Sequence, residues 1–128
     1  MPSFDVIGLG ALNVDRIYSV PRVVTDGAEL IQESTAAAGG SSANTVYGLA
    51  KLGLRCGFVG AVGDEDADIV LRSFAEVGVD TRRIVRKPGA ATATVFVFAD
   101  PIGRRAMYVY PGANALFAPG DVDAAYLA

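Results

Sequence analysis

Apolar and polar positions along this chain follow two different periods, and the places where the period changes divide it into elements. FDVIGL, from Phe4 to Leu9, is a short apolar run that breaks on the glycines of GLGALNVD, as a buried strand does. AELIQEST (28–35) roughly alternates apolar and polar residues, the pattern of a half-exposed strand. From Ala43 to Leu52 the period lengthens: Val46, Leu49, Ala50 and Gly53 fall near one face and Tyr47 and Lys51 on another, with Gly53 placed to end the helix. CGFVGAVG (56–63) is again a buried strand. DEDADIVLRSFAEVGV (64–79) reads as a second helix, with an acidic first turn that suits the helix dipole. Its apolar stripe is Ile69, Val70, Phe74 and Val77, and Gly78 stops it. TATVFVFADPIGRRAMYVYPG (92–112) holds two β-rich runs around Asp100-Pro101-Ile102-Gly103, a hairpin closed by a type I turn with proline at its second position. FAPGDVDAAYLA reads as a helix start at Asp121, about eight residues long with nothing left to pack on.

The strand–helix–strand–helix order at the front predicts βαβ units and a parallel sheet, an α/β fold. The outlying β segments, 28–35 and 92–110, interrupt that order and are expected to pair with each other as a small sheet outside the main one. The 128 residues suit one small domain, without internal repeat or low-complexity linker.

Composition narrows the function classes. The chain is 52% apolar and 20% charged, a globular balance, and its net charge of −3 gives no basic footprint for nucleic acid. The single cysteine, Cys56, lies in the apolar stretch LRCGFVG; it is expected to be an inert buried thiol and suits a reducing compartment. There is no histidine, so the commonest general base and metal ligand is absent. The start, MPSFDVIGLG, has no basic leader region, and no apolar run approaches the roughly 18 residues of a membrane span. These features predict a soluble, cytoplasmic protein with no membrane partner.

Several motifs carry chemistry. Gly8-Leu9-Gly10-Ala11-Leu12-Asn13 nearly matches a dinucleotide fingerprint, but Asn13 stands at the third glycine and no helix follows. Asp64, Asp66 and Asp68 alternate like a calcium loop, yet Ile69 and Ala75 occupy positions that need glycine and glutamate, so a helix first turn is the better reading. No phosphate-binding Gly-x-x-x-x-Gly-Lys-Ser/Thr loop occurs. Asn13-Val14-Asp15 follows the first strand, where ligands gather in open parallel sheets. Its two polar residues suit a polyol such as a sugar, or equally an Asx-turn that ends the strand. GGSSAN (39–44) opens the first helix: its glycines allow a ligand close to the backbone, and the free N–H groups can bind an oxygen-rich group. The alternative is a plain N-cap, with Ser42 bonding the first turn.

The ordered set NVD, GGSSAN, GLAKLG, FVGAVGDEDAD and YPGANALFAP resembles the N-terminal part of the PfkB, or ribokinase-like, carbohydrate kinases, essentially from end to end. The resemblance implies a ribokinase-like fold: a parallel core with a small β-sheet lid, formed by segments of about 16–38 and 91–111, that covers the sugar and in many members pairs subunits as a homodimer. By the same resemblance Asn13 and Asp15 hold substrate hydroxyls, while Gly39, Gly40, Ser41 and Asn44 close the sugar site. Lid residues such as Thr94, Phe96 and Tyr108 would set selectivity between sugars and nucleosides, and Arg104 or Arg105 would reach a charged substrate group or stay solvated. The departures are Ser42, where the family signature has glycine, alanine or proline; Val46, where it has a small residue; and Ser41, where ribokinases proper often carry lysine.

The family's ATP- and Mg²⁺-dependent phosphoryl transfer relies on a GAGD segment whose aspartate is the base. The nearest stretch here is Ala118-Pro119-Gly120-Asp121; Pro119 has no N–H to offer, so Asp121 reads as a helix-capping acid. The expectation is a chain that carries the sugar-binding half of a kinase, with no catalytic residue, no metal site and no ATP bound on its own. The alternative is a non-catalytic sugar-binding or lid-mediated interaction module. An uncovered apolar sheet edge and a tendency to associate follow from either.

Overall fold

The computed structural model describes residues 3–128; Met1 and Pro2, where the stretch read for a leader begins, lie outside it. In chain order the elements are β1 (Val6–Leu9), β2 (Asn13–Ser19), β3 (Glu33–Gly39), α1 (Ser41–Lys51), β4 (Cys56–Val62), α2 (Ala67–Glu76), β5 (Ile84–Arg86), β6 (Ala93–Ala99), β7 (Arg105–Tyr110) and α3 (Ala124–Leu127). Short 3-10 turns occupy Gly112–Leu116 and Pro119–Asp121.

The predicted parallel sheet is present, in the order β1-β4-β5. All of β4 is buried: α1 and α2 pack their apolar stripes against the face of Cys56, Phe58 and Val62, and the Gly112–Leu116 turn and Tyr126 cover the other. Phe58 of β4 meets Phe74 of α2 with ring centroids 5.2 Å apart, and Val46, Val70, Leu12 and Val14 close the same cluster. Burying each such side chain stabilises the fold by about 1.5–3 kcal/mol. Cys56 belongs to this core, where burial pushes its thiol pKa up. β1 is shorter than expected and only half-buried, with Leu9 53% exposed, because it pairs with β4 on one side alone.

The second sheet corrects the expected pairing. Its order is β3-β2-β6-β7, so the segments around 28–35 and 92–110 do not pair with each other. β2 stands between them, antiparallel to β3 and parallel to β6. The outlying strand also lies later than its pattern implied, at Glu33–Gly39, with residues 28–32 irregular. The hairpin is as expected: Gly103 N–H donates to the Asp100 carbonyl at 3.1 Å, and the buried Asp100 carboxylate accepts from the N–H groups of Val23, Ile102 and Arg104.

Both helix starts differ from their predicted form. α1 begins at Ser41 with Gly40 as its N-cap, at φ 115°, and no side chain caps it, so Ser42 does not play the capping role. α2 starts only at Ala67, after Asp66 in a left-handed conformation at φ 61°. The acids ahead of it are used in long-range ties. Asp64 accepts from Gly89 N–H at 2.7 Å, and Asp66 pairs with Arg16 of β2 at 2.6 Å.

The C-terminal stretch is docked rather than loose. Asp121 accepts from Ala118 N–H at 2.9 Å and pairs with Lys87 at 2.7 Å. α3 starts after Asp123, is four residues long, and seats Tyr126 against Phe4 with its hydroxyl donating to Asp80. Desolvation, with Asp80 beside it, pushes the Tyr126 pKa up to about 12.

Candidate functional site

β1 ends at Leu9 and the chain turns directly into β2. Leu12 and Val14 are fully buried and anchor the start of that strand. Successive side chains on a strand point to opposite faces, so Asn13 and Asp15 share the face that Val14 does not. β3 aligns Gly39 opposite Asn13 and Ala37 opposite Asp15. The two glycines then have separate reasons. A Cβ at Gly39 would collide with all three carboxyl atoms of Asp15, so any other residue there would force that carboxylate to shift. Gly40 adopts φ 115°, and a Cβ there would strike the Ala11 carbonyl, so glycine lets the chain cross closely and turn into α1. The first-turn N–H groups of α1 carry no side-chain cap.

The electrostatics of this corner are unusual for a structural carboxylate. Burial raises the Asp15 pKa, and among the described residues no hydrogen bond or ion pair compensates it. No side-chain oxygen there is sealed from solvent without a partner, so the carboxylate stays open to an incoming donor. Asn13 is held from one side: the Asn114 side-chain NH₂ donates to its Oδ1 at 2.9 Å, and Leu12 N–H donates to Asn114 Oδ1 at 3.2 Å. Asp15 as acceptor, Asn13 as donor and the open N–H groups of α1 form a surface that can bind neighbouring hydroxyls. Asn114 was visible only as part of YPGANALFAP, where nothing in the local pattern marks it as a partner of Asn13 from 101 positions away.

The other expected residues distribute unevenly. Ser41 stands at the exposed first position of α1, and Asn44 lies one turn on, lining a cleft of about 220 Å³ with Ala37, Gly39 and Tyr47. Thr94 and Phe96 share one face of β6. They pair with Val14 and Arg16, on the face opposite Asp15; Thr94 is buried and donates its hydroxyl to the Thr92 carbonyl. Val95 and Val97, which align with Asp15 and Ile17, are the β6 residues on the Asp15 face. Tyr108 pairs with Phe96 and so shares the far face, where a hollow of about 500 Å³ lies under the 20–31 loop. Arg105 aligns with Ala99 and Ser19, on the Asp15 face. That register places it about 13 Å along the strands and about 10 Å across them from Asp15, beyond the reach of its side chain. Arg104 is held by Asp100, with Nε 2.9 Å from the carboxylate. Gly8, the head of the near-fingerprint, is a packing glycine pressed on Val46 and Phe58.

The family model of the pfkB carbohydrate kinases matches residues 3–127. The chain belongs to the pfkB family of carbohydrate kinases. This PfkB chain is 33% identical over 120 residues to a ribokinase of Staphylococcus aureus, covering 91% of this chain and 40% of the relative. It is 34% identical over 131 residues to a 5-dehydro-2-deoxygluconokinase of Shouchella clausii, covering 97% of this chain and 38% of the relative. Among solved structures it superposes on a fructokinase from Xylella fastidiosa with TM-score 0.75 and 32% identity, over 94% of this chain and 38% of that one. The PfkB chain therefore has the ribokinase-like fold and spans about 40% of the length of the curated ribokinase it matches. No described helix is long and apolar enough to cross a membrane.

Proposed function

We propose that this chain is the sugar-binding part of a kinase that transfers the γ-phosphate of ATP to a hydroxyl of a sugar or nucleoside, with Mg²⁺. The observation that carries the reading is the Asp15 carboxylate, unpaired and partly desolvated over Gly39, beside Asn13 and the open start of α1. Such a carboxylate is stabilised when hydroxyls donate to it, and a polyol supplies two of them. Asn13, Asp15, Gly39, Gly40, Ser41 and Asn44 bind the substrate in this reading, and Val95 and Val97 replace Thr94 and Phe96 as its apolar cover.

In this reading the nucleotide and its Mg²⁺ are held elsewhere than by the residues around Asp15. The described residues hold no group of three Asp, Glu, Cys or His residues placed to take a metal ion. Asp121 is tied to Lys87 and Ala118 rather than poised beside a substrate. The part of the described residues in the reaction is to bind and orient the sugar. The exposed apolar face of the mixed sheet, with Ile17, Met107 and Val109, favours a second reading, a non-catalytic sugar-binding or lid-mediated interaction module. An assay for ATP-dependent phosphorylation by the native protein separates the two.

The mixed sheet serves as the lid and as a homodimer contact. Ile17, Met107 and Val109 lie on one face of it and are 39%, 56% and 67% exposed, and β7 leaves one edge unpaired. The reading places the protein in the reducing cytoplasm, with neither nucleic acid nor membrane as partner. Calorimetric titration with D-ribose, D-fructose and adenosine tests it. At least one should bind, and Asp15→Asn should weaken that binding about tenfold or more, the loss of a charge-assisted hydrogen bond. Equal binding by the variant would refute the assignment.

A further inference from the structure

We infer that Asn114 sets the hydrogen-bonding polarity of this site. It holds Asn13 so that the NH₂, and not the carbonyl, faces the ligand, and the site selects a hydroxyl that accepts from Asn13 while donating to Asp15. The inference rests on the sugar-binding reading above and deepens it.

One group beside the site has unambiguous chemistry. The backbone N–H of Leu12, a residue with no exposed surface, can only donate, and its acceptor is the Asn114 side chain at 3.2 Å. The branch of Asn114 facing Leu12 is therefore the carbonyl oxygen, and the other branch is the NH₂. That NH₂ lies 2.9 Å from the Asn13 amide and requires an acceptor, so the Asn13 branch it meets is Oδ1. One fixed backbone donor thus orients two amides in series. The free end of Asn13 is its NH₂, which has no other partner among the described residues and lies on the Asp15 face of β2.

The turn that carries Asn114 is itself anchored. Gly112 adopts φ 49°, where a Cβ would collide with the Ala91 carbonyl, and Ala113 is fully buried with its N–H donating to that carbonyl at 2.9 Å. Asn114 therefore reaches Asn13 from a rigid support rather than from a loose loop. The outcome is a donor and an acceptor side by side: Asn13 can only give protons to a ligand and ionised Asp15 can only receive them. A hydroxyl accepts and donates at once, so it satisfies both, whereas a deoxy position satisfies neither.

Two measurements test this. In the first, side-chain amide exchange is followed by NMR in the free chain. The Asn114 NH₂ should exchange about tenfold or more slowly than that of free asparagine, and the Asn13 NH₂ near the free rate, as expected for one bonded and one open donor. The reverse pattern, or an Asn114 NH₂ that exchanges freely, overturns the inference without any variant having to fold. In the second, D-ribose, 2-deoxy-D-ribose and 3-deoxy-D-ribose are titrated into wild type and Asn114→Asp. Asp at 114 still accepts from Leu12 N–H but cannot donate, so it draws the Asn13 NH₂ away from the ligand.

Wild type should prefer D-ribose over at least one deoxy analogue by about tenfold or more, and the variant's preference should fall to within about threefold. The two proteins are compared at a pH where Asp15 is ionised in both, so that the ratio reports Asn13. If the variant weakens all three by one common factor and keeps the wild-type preference, Asn114 is a structural clamp only and the inference fails. If none of the three binds wild type, the sugar reading fails for this ligand class, and the exchange pattern alone decides the orientation of Asn13.

Discussion

Gly39→Ala is the most informative substitution, because the structure states what the new methyl group meets. Gly39 does not have a positive φ, so alanine is compatible with its backbone, and any cost is steric. The Cβ would lie 2.7 Å from both Oδ1 and Cγ of Asp15 and nearer still to Oδ2, so the carboxylate must move. Overpacking of this kind costs about 1–3 kcal/mol, against a gain of about 0.4–1 kcal/mol from the stiffer unfolded chain. The expected net loss of stability is between about 0 and 2.6 kcal/mol, readable in a urea unfolding curve.

The decisive comparison is the same substitution in an Asp15→Ala background. With the carboxylate gone the collision is gone, and Gly39→Ala should become neutral or stabilising. The coupling between the two sites should then be about 1 kcal/mol or more. Gly48→Ala is the control. It sits in α1 with nothing within 4 Å of the added methyl, and should stabilise by about 0.5–1 kcal/mol. If Gly39→Ala costs the same with and without Asp15, the glycine does not exist to make room for the carboxylate, and the account of the site is wrong.

Three further outcomes are expected. Burial raises the Asp15 pKa above its unfolded value, so the protonated folded form is favoured; that contribution is full below the unfolded pKa and is lost as pH rises through the folded one. Asp15→Asn should therefore be more stable than wild type at pH 7, with a margin that vanishes near about pH 3; a pH-independent difference in melting temperature would contradict this. Phe58 is fully buried against Phe74, and Phe58→Ala should cost about 3–5 kcal/mol, visible as a thermal midpoint lower by about 10 °C or more. Met107→Asp, on the exposed sheet face, should weaken self-association in sedimentation by about tenfold or more; a wild type that stays monomeric at high micromolar concentration would refute the lid contact.

What could be read from residue order alone was whatever is repeated locally. The Val46–Leu49–Ala50 stripe and the glycine after it identify α1, the run CGFVGAV identifies β4, and DPIG identifies the hairpin, because each signal lies within one or two turns of chain. NVD and GGSSAN could be singled out for the same reason, since each concentrates its chemistry in a few consecutive residues. β2 was not legible as a strand. Val14 turns into the core, Arg16 reaches Asp66 ahead of α2, and Asp15 is left unpaired, so no simple apolar alternation survives in NVDRIYS. Asn114 was not legible as a site residue either, because its value depends on a backbone N–H on the far side of the sequence.

The parity of β6 shows the division most clearly. TVFVF is apolar on both faces, so its sequence has no period-two signal that says which residues cover Asp15. Thr94 and Phe96 were as good a choice as Val95 and Val97 until the pairing with β2 aligned Val95 with Asp15. A shift of one residue would exchange the faces. Local order determined α1, β4 and the hairpin, the glycine pair and the polar residues offered to a ligand. Register between strands, which depends on packing across the whole sheet, decided which side chains stand together.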